Sequence, residues 1–133
     1  MTFSDGVTFH LNGKTIRVFH APNAHTSGDS IAHFVDADVI HIADTYLNGF
    51  YPFIDFQHGG TMEGMIAVAE KVIVMAGPKT RIIPGHGPLS NRAELMKYRD
   101  MLAAVGERIA RAIVAGNSLE NVHAENPTGE YDA

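Results

Sequence analysis

The chain has 133 residues, with 10 Lys and Arg against 15 Asp and Glu and a formal net charge of −5. This length fits one domain, and a composition of 45% hydrophobic and 19% charged residues is globular rather than disordered. The acidic balance, without any Lys/Arg cluster, argues against a nucleic-acid or anionic-membrane surface. No apolar run reaches the roughly 18 residues of a membrane span.

Cysteine is absent and histidine is abundant. The absence of cysteine excludes disulfides, thiolate metal sites and cysteine nucleophiles. The first residues, MTFSDGVTFHLNGK, lack the charged and apolar regions of a signal peptide, so we expect a cytoplasmic location unless a longer protein supplies a signal. Eight histidines in 133 residues is a high content, which points towards metal or acid–base chemistry.

Alternating apolar residues predict strands in the first third of the chain. Asn12-Gly13 is a hairpin signal between the first two strands, and residues 21–30 have the composition of a loop. The segment 44–60 is predicted to be irregular. The predicted strands cover residues 7–11, 15–19, 31–35 and 39–42.

Two helices are predicted in the second half. Apolar residues at three- and four-residue steps predict a helix over 61–76, and a second one runs from the N-cap Asn91 to Gly116. A short strand over 81–83 lies between them. Residues 117–133 are polar, and we expect them to form a frayed tail.

Three loops carry side chains that bind metals. His25 precedes a predicted strand, while Asp44 and His86 each follow one. Because a sheet brings strand ends together at one edge, these residues can converge, and two imidazoles with a carboxylate suit zinc or a similar divalent ion. On the residues alone, the alternative stays open that they are ordinary loop side chains. His20 is a reserve ligand. The remaining histidines are given no metal role: His10, His33, His41, His58 and His123.

These loops lie in ordered motifs that resemble the C-terminal half of the metallo-β-lactamase superfamily, in its zinc-hydrolase branch. The resemblance covers the chain from about residue 6 to about residue 130. The main motifs are His25-Thr26-Ser27-Gly28-Asp29-Ser30, Asp38-Val39-Ile40-His41-Ile42-Ala43-Asp44-Thr45 and Ile83-Pro84-Gly85-His86-Gly87-Pro88. Supporting matches are Tyr51-Pro52-Phe53-Ile54-Asp55, Gly59-Gly60-Thr61 and Tyr98-Arg99-Asp100-Met101-Leu102.

The resemblance implies an α/β fold. The expected architecture is a single domain over residues 1–133 that forms one αββα half: a mixed sheet of about five strands with two helices on one face. By position, His25 completes a first zinc site, Asp44 bridges the zincs or holds the second, and His86 is the terminal histidine of the second site. In the family a zinc-held hydroxide hydrolyses a β-lactam, lactone, thioester or related bond.

The chain departs from the family in three ways. Ser27 stands where aspartate is common and Ala43 where glycine is common, and neither change is expected to abolish ligation. The larger departure is that the His-x-His-x-Asp-His motif, which supplies the other zinc ligands, does not occur. We therefore expect a fragment or truncated form that contributes three metal ligands and no catalytic side chain, binds zinc weakly and is inactive alone.

A half-fold leaves one apolar sheet face without a cover, and large apolar patches drive association. We expect a homodimer through that face, or a complementary N-terminal half that covers it, with neither nucleic acid nor membrane as a partner. A second function stays open: a catalytically dead dimerising module that binds at most one metal ion.

Overall fold

The computed structural model describes residues 2–132, which form one mixed six-stranded sheet with helices. The first four strands are antiparallel neighbours, and the fourth and fifth are parallel. The strands, in sheet order, are β1 (Gly6–Leu11), β2 (Lys14–Ala21), β3 (Asp29–Phe34), β4 (Val39–Leu47), β5 (Arg81–His86) and β6 (Ser90–Asn91). The helices are α1 (Met62–Met75), α2 (Arg92–Val114) and α3 (Leu119–Ala124). The predicted fold class is confirmed, with a sixth strand of two residues added.

Local signals set the first hairpin turn and the start of each long helix, and of these the Asn12-Gly13 turn and the Asn91 cap were predicted. Asn12 and Gly13 both have positive φ, of 51° and 71°, which is the backbone of the tight hairpin between β1 and β2. The Thr61 side chain accepts a hydrogen bond from the first turn of α1, and Asn91 accepts two from the first turn of α2. Each cap satisfies amide groups that have no partner within the helix.

The expectation of a frayed tail is wrong for the described residues. Residues after α2 form α3 and a further helical turn, Gly129–Tyr131. The Arg108 guanidinium on α2 donates to the Pro127 carbonyl at 2.7 Å and pairs with the Glu130 carboxylate. These contacts order a polar segment that has no apolar period of its own, which is why the sequence pattern did not reveal it. Residue 133 lies outside the described part of the chain.

The two faces of the sheet have different environments. Four isoleucines of β3, β4 and β5 are fully buried beneath α1 and α2. On the opposite face, cross-strand pairs align apolar side chains in rows, for example Phe9, Ile16, Phe34 and Val39. We call this opposite face the open face. Its apolar residues are Val7, Phe9, Leu11, Ile16, Val18, Ala32, Phe34, Val39 and Ile83, and Lys14, His41 and Arg81 lie in the same cross-strand rows.

The expected apolar sheet face is therefore present, and several of its side chains are exposed to solvent in the described structure. Phe9 is 41% exposed and Leu11 is 61% exposed. Of the strand residues that could have shared this face, Ile31 and Ile40 instead point into the core, where neither is exposed. Within residues 2–132, no helix has the length and apolar character needed to cross a membrane.

The division between core and surface predicts different costs for two valines on α1. Val72 is fully buried, whereas Val74 is 85% exposed. Val72→Ala removes two buried methyl groups, so we expect it to lower the free energy of unfolding by about 2 kcal/mol. Val74→Ala should be neutral or slightly stabilising, because alanine has the higher helix propensity. Urea unfolding followed by circular dichroism measures both, and equal effects would contradict this packing.

Candidate metal site

The strand directions place all three predicted loops at the same edge of the sheet. β4 and β5 run parallel, and β3 runs antiparallel to β4. The carboxyl ends of β4 and β5 therefore meet the amino end of β3. Asp44 lies near the end of β4, His86 is the last residue of β5, and His25 lies in the loop that enters β3.

Asp44 and His86 form a pair of exposed side chains whose oxygen and nitrogen atoms can bind a metal ion. The His86 Nε2 atom lies 3.4 Å from Asp44 Oδ1, and the two side chains are 68% and 47% exposed. This separation is longer than an ordinary hydrogen bond. It matches the spacing of two ligands on one tetrahedral zinc, since donors about 2.0–2.1 Å from the metal stand about 3.3 Å apart. The geometry of the pair therefore fits two ligands of one ion.

A bulge in β4 sets the direction of Asp44. Ala43 has φ of 50°, and the pairing with β5 shifts register on both sides of it. The strand was predicted to end at residue 42, but it continues through this bulge to Leu47. The buried Thr45 hydroxyl donates to the Ile42 carbonyl at 2.6 Å across the bulge. Bulges of this kind re-aim a side chain at the end of a strand, as β4 does here for Asp44.

Glycine at position 85 lets β5 approach this bulge. A Cβ atom there would lie 2.2 Å from Asp44 Oδ1 and 2.7 Å from the carbonyl carbon of Ala43. Both distances are far below van der Waals contact. The glycine that precedes His86 is therefore required by the packing of β4 against β5.

His25 is oriented by a backbone carbonyl. Its Nδ1 atom lies 2.8 Å from the Phe53 carbonyl oxygen. Because that oxygen can only accept a hydrogen bond, Nδ1 carries the proton. The lone pair of Nε2 is then available to bind a metal ion. Metal-binding histidines are commonly held in this way, with the second ring nitrogen donating to a carbonyl. No pattern in the sequence indicated this role for Phe53.

The segment around residues 53–60 holds the backbone of the His25 loop. Asp55 N donates to the His25 carbonyl at 2.9 Å, and Ser27 N donates to the His58 carbonyl at 2.8 Å. A Cβ atom at Gly60 would lie 2.2 Å from the His25 carbonyl oxygen, so only glycine permits this approach. The Gly59-Gly60-Thr61 motif thus serves to position a predicted ligand.

Asp55 and His58 form a hydrogen-bonded pair that was not predicted from the sequence. His58 Nδ1 lies 2.7 Å from the Asp55 carboxylate, across one helical turn. The hydrogen bond from His58 holds the pKa of Asp55 below its ordinary value. The three-residue spacing of an acid and a histidine was the available signal. The pair braces the segment that contacts His25.

The reserve ligand His20 is engaged with the protein backbone. Its Nε2 atom lies 2.7 Å from the Ser27 carbonyl oxygen. Within the same loop, the Asp29 carboxylate accepts a hydrogen bond from Thr26 N at 2.8 Å and one from the Thr26 hydroxyl at 3.0 Å. His20 and Asp29 therefore fix the shape of the His25 loop.

Within the part of the chain that the structure describes, no three His, Asp or Glu side chains lie close enough to share one ion. The structure brings Asp44 and His86 together and holds His25 separately, against Phe53. Metal ligation by these three residues stays a prediction. The donor chemistry of the Asp44–His86 pair fits a divalent cation, but two donors are fewer than the three or four that a stable zinc site uses.

A cavity of about 740 Å³ lies between the end of β4, the segment that follows it and α2. Asn48 connects it to the site, because its backbone N–H donates to the His86 carbonyl at 2.9 Å. The cavity was not predicted from the sequence. Its apolar and aromatic walls include Tyr46, Phe50, Tyr51, Tyr98, Met101 and Tyr131.

No protein-family profile and no curated protein matches the sequence, but solved structures match the fold. A metallo-β-lactamase from Pontibacter korlensis superposes with a TM-score of 0.64 at 16% identity, over 77% of this chain and 47% of that one. The sec-alkylsulfatase Pisa1 from Pseudomonas sp. gives 0.74 at 16% identity, over 93% and 21%. TTHA1623, in a di-iron-bound form, gives 0.53 at 21% identity, over 62% and 40%.

These matches show that the chain has part of the metallo-β-lactamase fold. The chain spans less than half the length of each of the three proteins. The fold resemblance drawn from the sequence is therefore confirmed, and the partial coverage supports a fragment of that fold.

The bulge predicts a stabilising substitution. Ala43 occupies a left-handed conformation that costs a non-glycine residue of order 1 kcal/mol or more. Ala43→Gly relieves this strain, so we expect a gain of up to about 1 kcal/mol in the free energy of unfolding, after the cost of a more flexible unfolded chain. Ala32→Gly, in regular β3, is the control and should lower stability. A loss at both positions, measured by urea unfolding, would show that Ala43 is unstrained.

Proposed function

We propose that this chain is the C-terminal half of a metal-dependent hydrolase, and that His25, Asp44 and His86 are its contribution to the metal centre. The observation that supports this proposal is the exposed Asp44–His86 pair, whose 3.4 Å separation fits two ligands of one ion. The free Nε2 atom of His25, in a loop at the same edge, adds a third donor.

Each residue has a defined task in this proposal. Asp44 and His86 hold the ion directly, and His25 presents Nε2 because Phe53 fixes its other nitrogen. Gly85 permits the approach of β5 that sets the Asp44–His86 distance. When bound, the metal would supply a polarised substrate oxygen and a water of lowered pKa. Zinc is the proposed ion, since two imidazoles and one carboxylate are ligands that it accepts.

The same ligand count supports the proposal that the chain alone is a poor catalyst. Two converging donors give weak binding, and the remaining ligands must come from outside this chain. The reaction class that the fold and the donors favour is hydrolysis of a carbonyl or ester bond. A complementary half-domain that covers the open face would bring the missing ligands to the same edge.

A second candidate function is a catalytically dead dimerising module with at most one metal ion. The observation in its favour is that, in residues 2–132, only two of the three predicted ligands are brought together. Hydrolysis by the chain mixed with a complementary half, and lost with a chelator, would favour the hydrolase. Dimerisation without any metal uptake would favour the module.

The proposal predicts which histidine controls zinc affinity. His86→Ala removes one of two adjacent donors, so we expect zinc affinity to fall by at least about tenfold, since even changes to the groups that orient a ligand cost 10–100-fold. Isothermal titration of the metal-free protein with zinc chloride measures this affinity. His123→Ala, in the exposed helix α3, is the control and should leave the affinity unchanged. Equal affinity of His86→Ala and the unaltered chain would contradict the proposed site.

A further inference from the structure

We propose that the cavity between the end of β4 and α2 binds an uncharged aromatic group, and that in the metal-dependent hydrolase this group belongs to the substrate. We call it the aromatic cavity, after the rings that line it: Tyr46, Phe50, Tyr51, Tyr98 and Tyr131. The binding of an aromatic group is argued from the cavity alone. Its assignment to the substrate rests on the proposed function and adds the substrate class.

The aromatic cavity has the size and the wall chemistry of a small-molecule site. Its volume of about 740 Å³ lies within the roughly 300–1,000 Å³ that is usual for ligand pockets. Its five rings, together with Leu47 and Met101, give mostly apolar walls. An aromatic ligand can meet such rings edge-to-face or with an offset stack, which are the favourable arrangements of aromatic pairs.

The C-terminal segment supplies one wall, and hydrogen bonds fix this wall in place. Tyr131 lies in the helical turn Gly129–Tyr131, and the adjacent Asp132 carboxylate accepts a hydrogen bond from the Tyr51 hydroxyl. Arg108 on α2 holds the same segment through the Pro127 carbonyl. Because the wall is tied to both sides of the cavity before a ligand enters, binding costs little ordering of the chain.

The charged side chains that line the cavity already have partners. The Lys97 ammonium lies 2.9 Å from the Glu94 carboxylate, and the Arg99 guanidinium donates to the Asp100 carboxylate at 2.7 Å. All of the charged lining groups are also partly exposed to water. A charged ligand group would therefore lose its own hydration without meeting an unpaired opposite charge, so the cavity favours an uncharged group.

The hydroxyls of the tyrosine walls likewise leave the rings to contact a ligand. The Tyr46 hydroxyl is bonded to Ser90 Oγ at 2.8 Å, and that of Tyr51 is bonded to Asp132. The Tyr98 hydroxyl has no partner among the described residues, but it is itself buried, so this residue can present only its ring. Burial raises the pKa of both Tyr46 and Tyr98, which keeps the two rings uncharged.

The aromatic cavity begins beside a proposed metal ligand. Leu47, one of its lining residues, is the register partner of His86 across the β4–β5 pairing. The next lining residue, Asn48, donates its backbone N–H to the His86 carbonyl at 2.9 Å. A ring in the cavity and a carbonyl or ester carbon at the Asp44–His86 pair can therefore belong to one molecule.

A fluorescence titration of the metal-free chain with N-phenyl-1-naphthylamine tests the binding of an uncharged aromatic group. We expect saturable binding of one probe per chain. Three competitors share one ring system and differ in charge: 1-naphthalenemethanol, 1-naphthoate and 1-naphthylmethylammonium. The neutral alcohol should displace the probe at a concentration at least about tenfold lower than either ion. Absence of saturable binding, or displacement by an ion at an equal or lower concentration, would overturn the inference.

Variants locate the bound probe. Phe50→Ala and Tyr131→Ala each remove a wall ring, and each should weaken binding about two- to tenfold. Phe56→Ala changes a 74% exposed ring that does not line the cavity, and Phe9→Ala changes the open face, so both are controls. Circular dichroism establishes that each variant folds, and Phe50 is 60% exposed, so its loss does not open the core. Control variants that weaken binding as much as the wall variants would place the probe elsewhere and contradict the proposal.

Paramagnetic relaxation tests whether the cavity serves the metal site. Cobalt(II) is added to the chain in the presence of 1-naphthalenemethanol, and the proton relaxation of the bound alcohol is measured by NMR. We expect cobalt to enhance this relaxation in the unaltered chain and not in His86→Ala. If cobalt binds to the unaltered chain and the relaxation of the cavity-bound alcohol is unchanged, the cavity is separate from the metal site and its assignment to the substrate is overturned. If cobalt does not bind at all, the proposed function fails together with that assignment, whereas the probe titration still decides the aromatic site.

Discussion

The pairing of β4 with β5 is the constraint on which the site depends. Parallel strands place their carboxyl ends at the same edge, so Asp44 and His86 become neighbours although they lie 42 positions apart in the sequence. The bulge at Ala43 then turns Asp44, and Gly85 lets β5 come close enough for the 3.4 Å contact. The β4–β5 pairing, the bulge and Gly85 act together. A side chain at position 85 would disturb both the pairing and the bulge.

The third predicted ligand depends on a different set of contacts. The His25 loop is held internally by the Asp29 carboxylate. It is also fixed by hydrogen bonds with the Phe53 carbonyl, the Asp55 N–H and the His58 carbonyl. This explains why the motifs of the aromatic and glycine-rich segment before α1 occur in the same sequence as the loops that carry the predicted metal ligands. It also explains why His25 can be well oriented without touching Asp44 or His86. The ion, or a partner that brings it, would have to join the two parts of the site.

Sequence patterns predicted the elements that depend on local chemistry. The Asn12-Gly13 turn, the cap at Asn91 and the two long helices all follow from residues within a few positions of one another. Features that depend on distant contacts were missed: the extension of β4 through a strained Ala43, the carbonyl of Phe53 behind His25, and the tail ordered by Arg108. The fold resemblance was visible because its motifs are ordered along the chain. The separation of His25 from the other two predicted ligands was not visible, since spacing does not specify side-chain distances.

The central claim is that Asp44 and His86 together bind a metal ion. A crystal structure of the zinc-soaked protein, with anomalous diffraction recorded at the zinc absorption edge, tests it most directly. We expect an anomalous peak about 2.0–2.2 Å from both Asp44 Oδ1 and His86 Nε2. A zinc peak bound only by other histidines, such as His10 or His123, with the Asp44–His86 pair unchanged and empty, would contradict it.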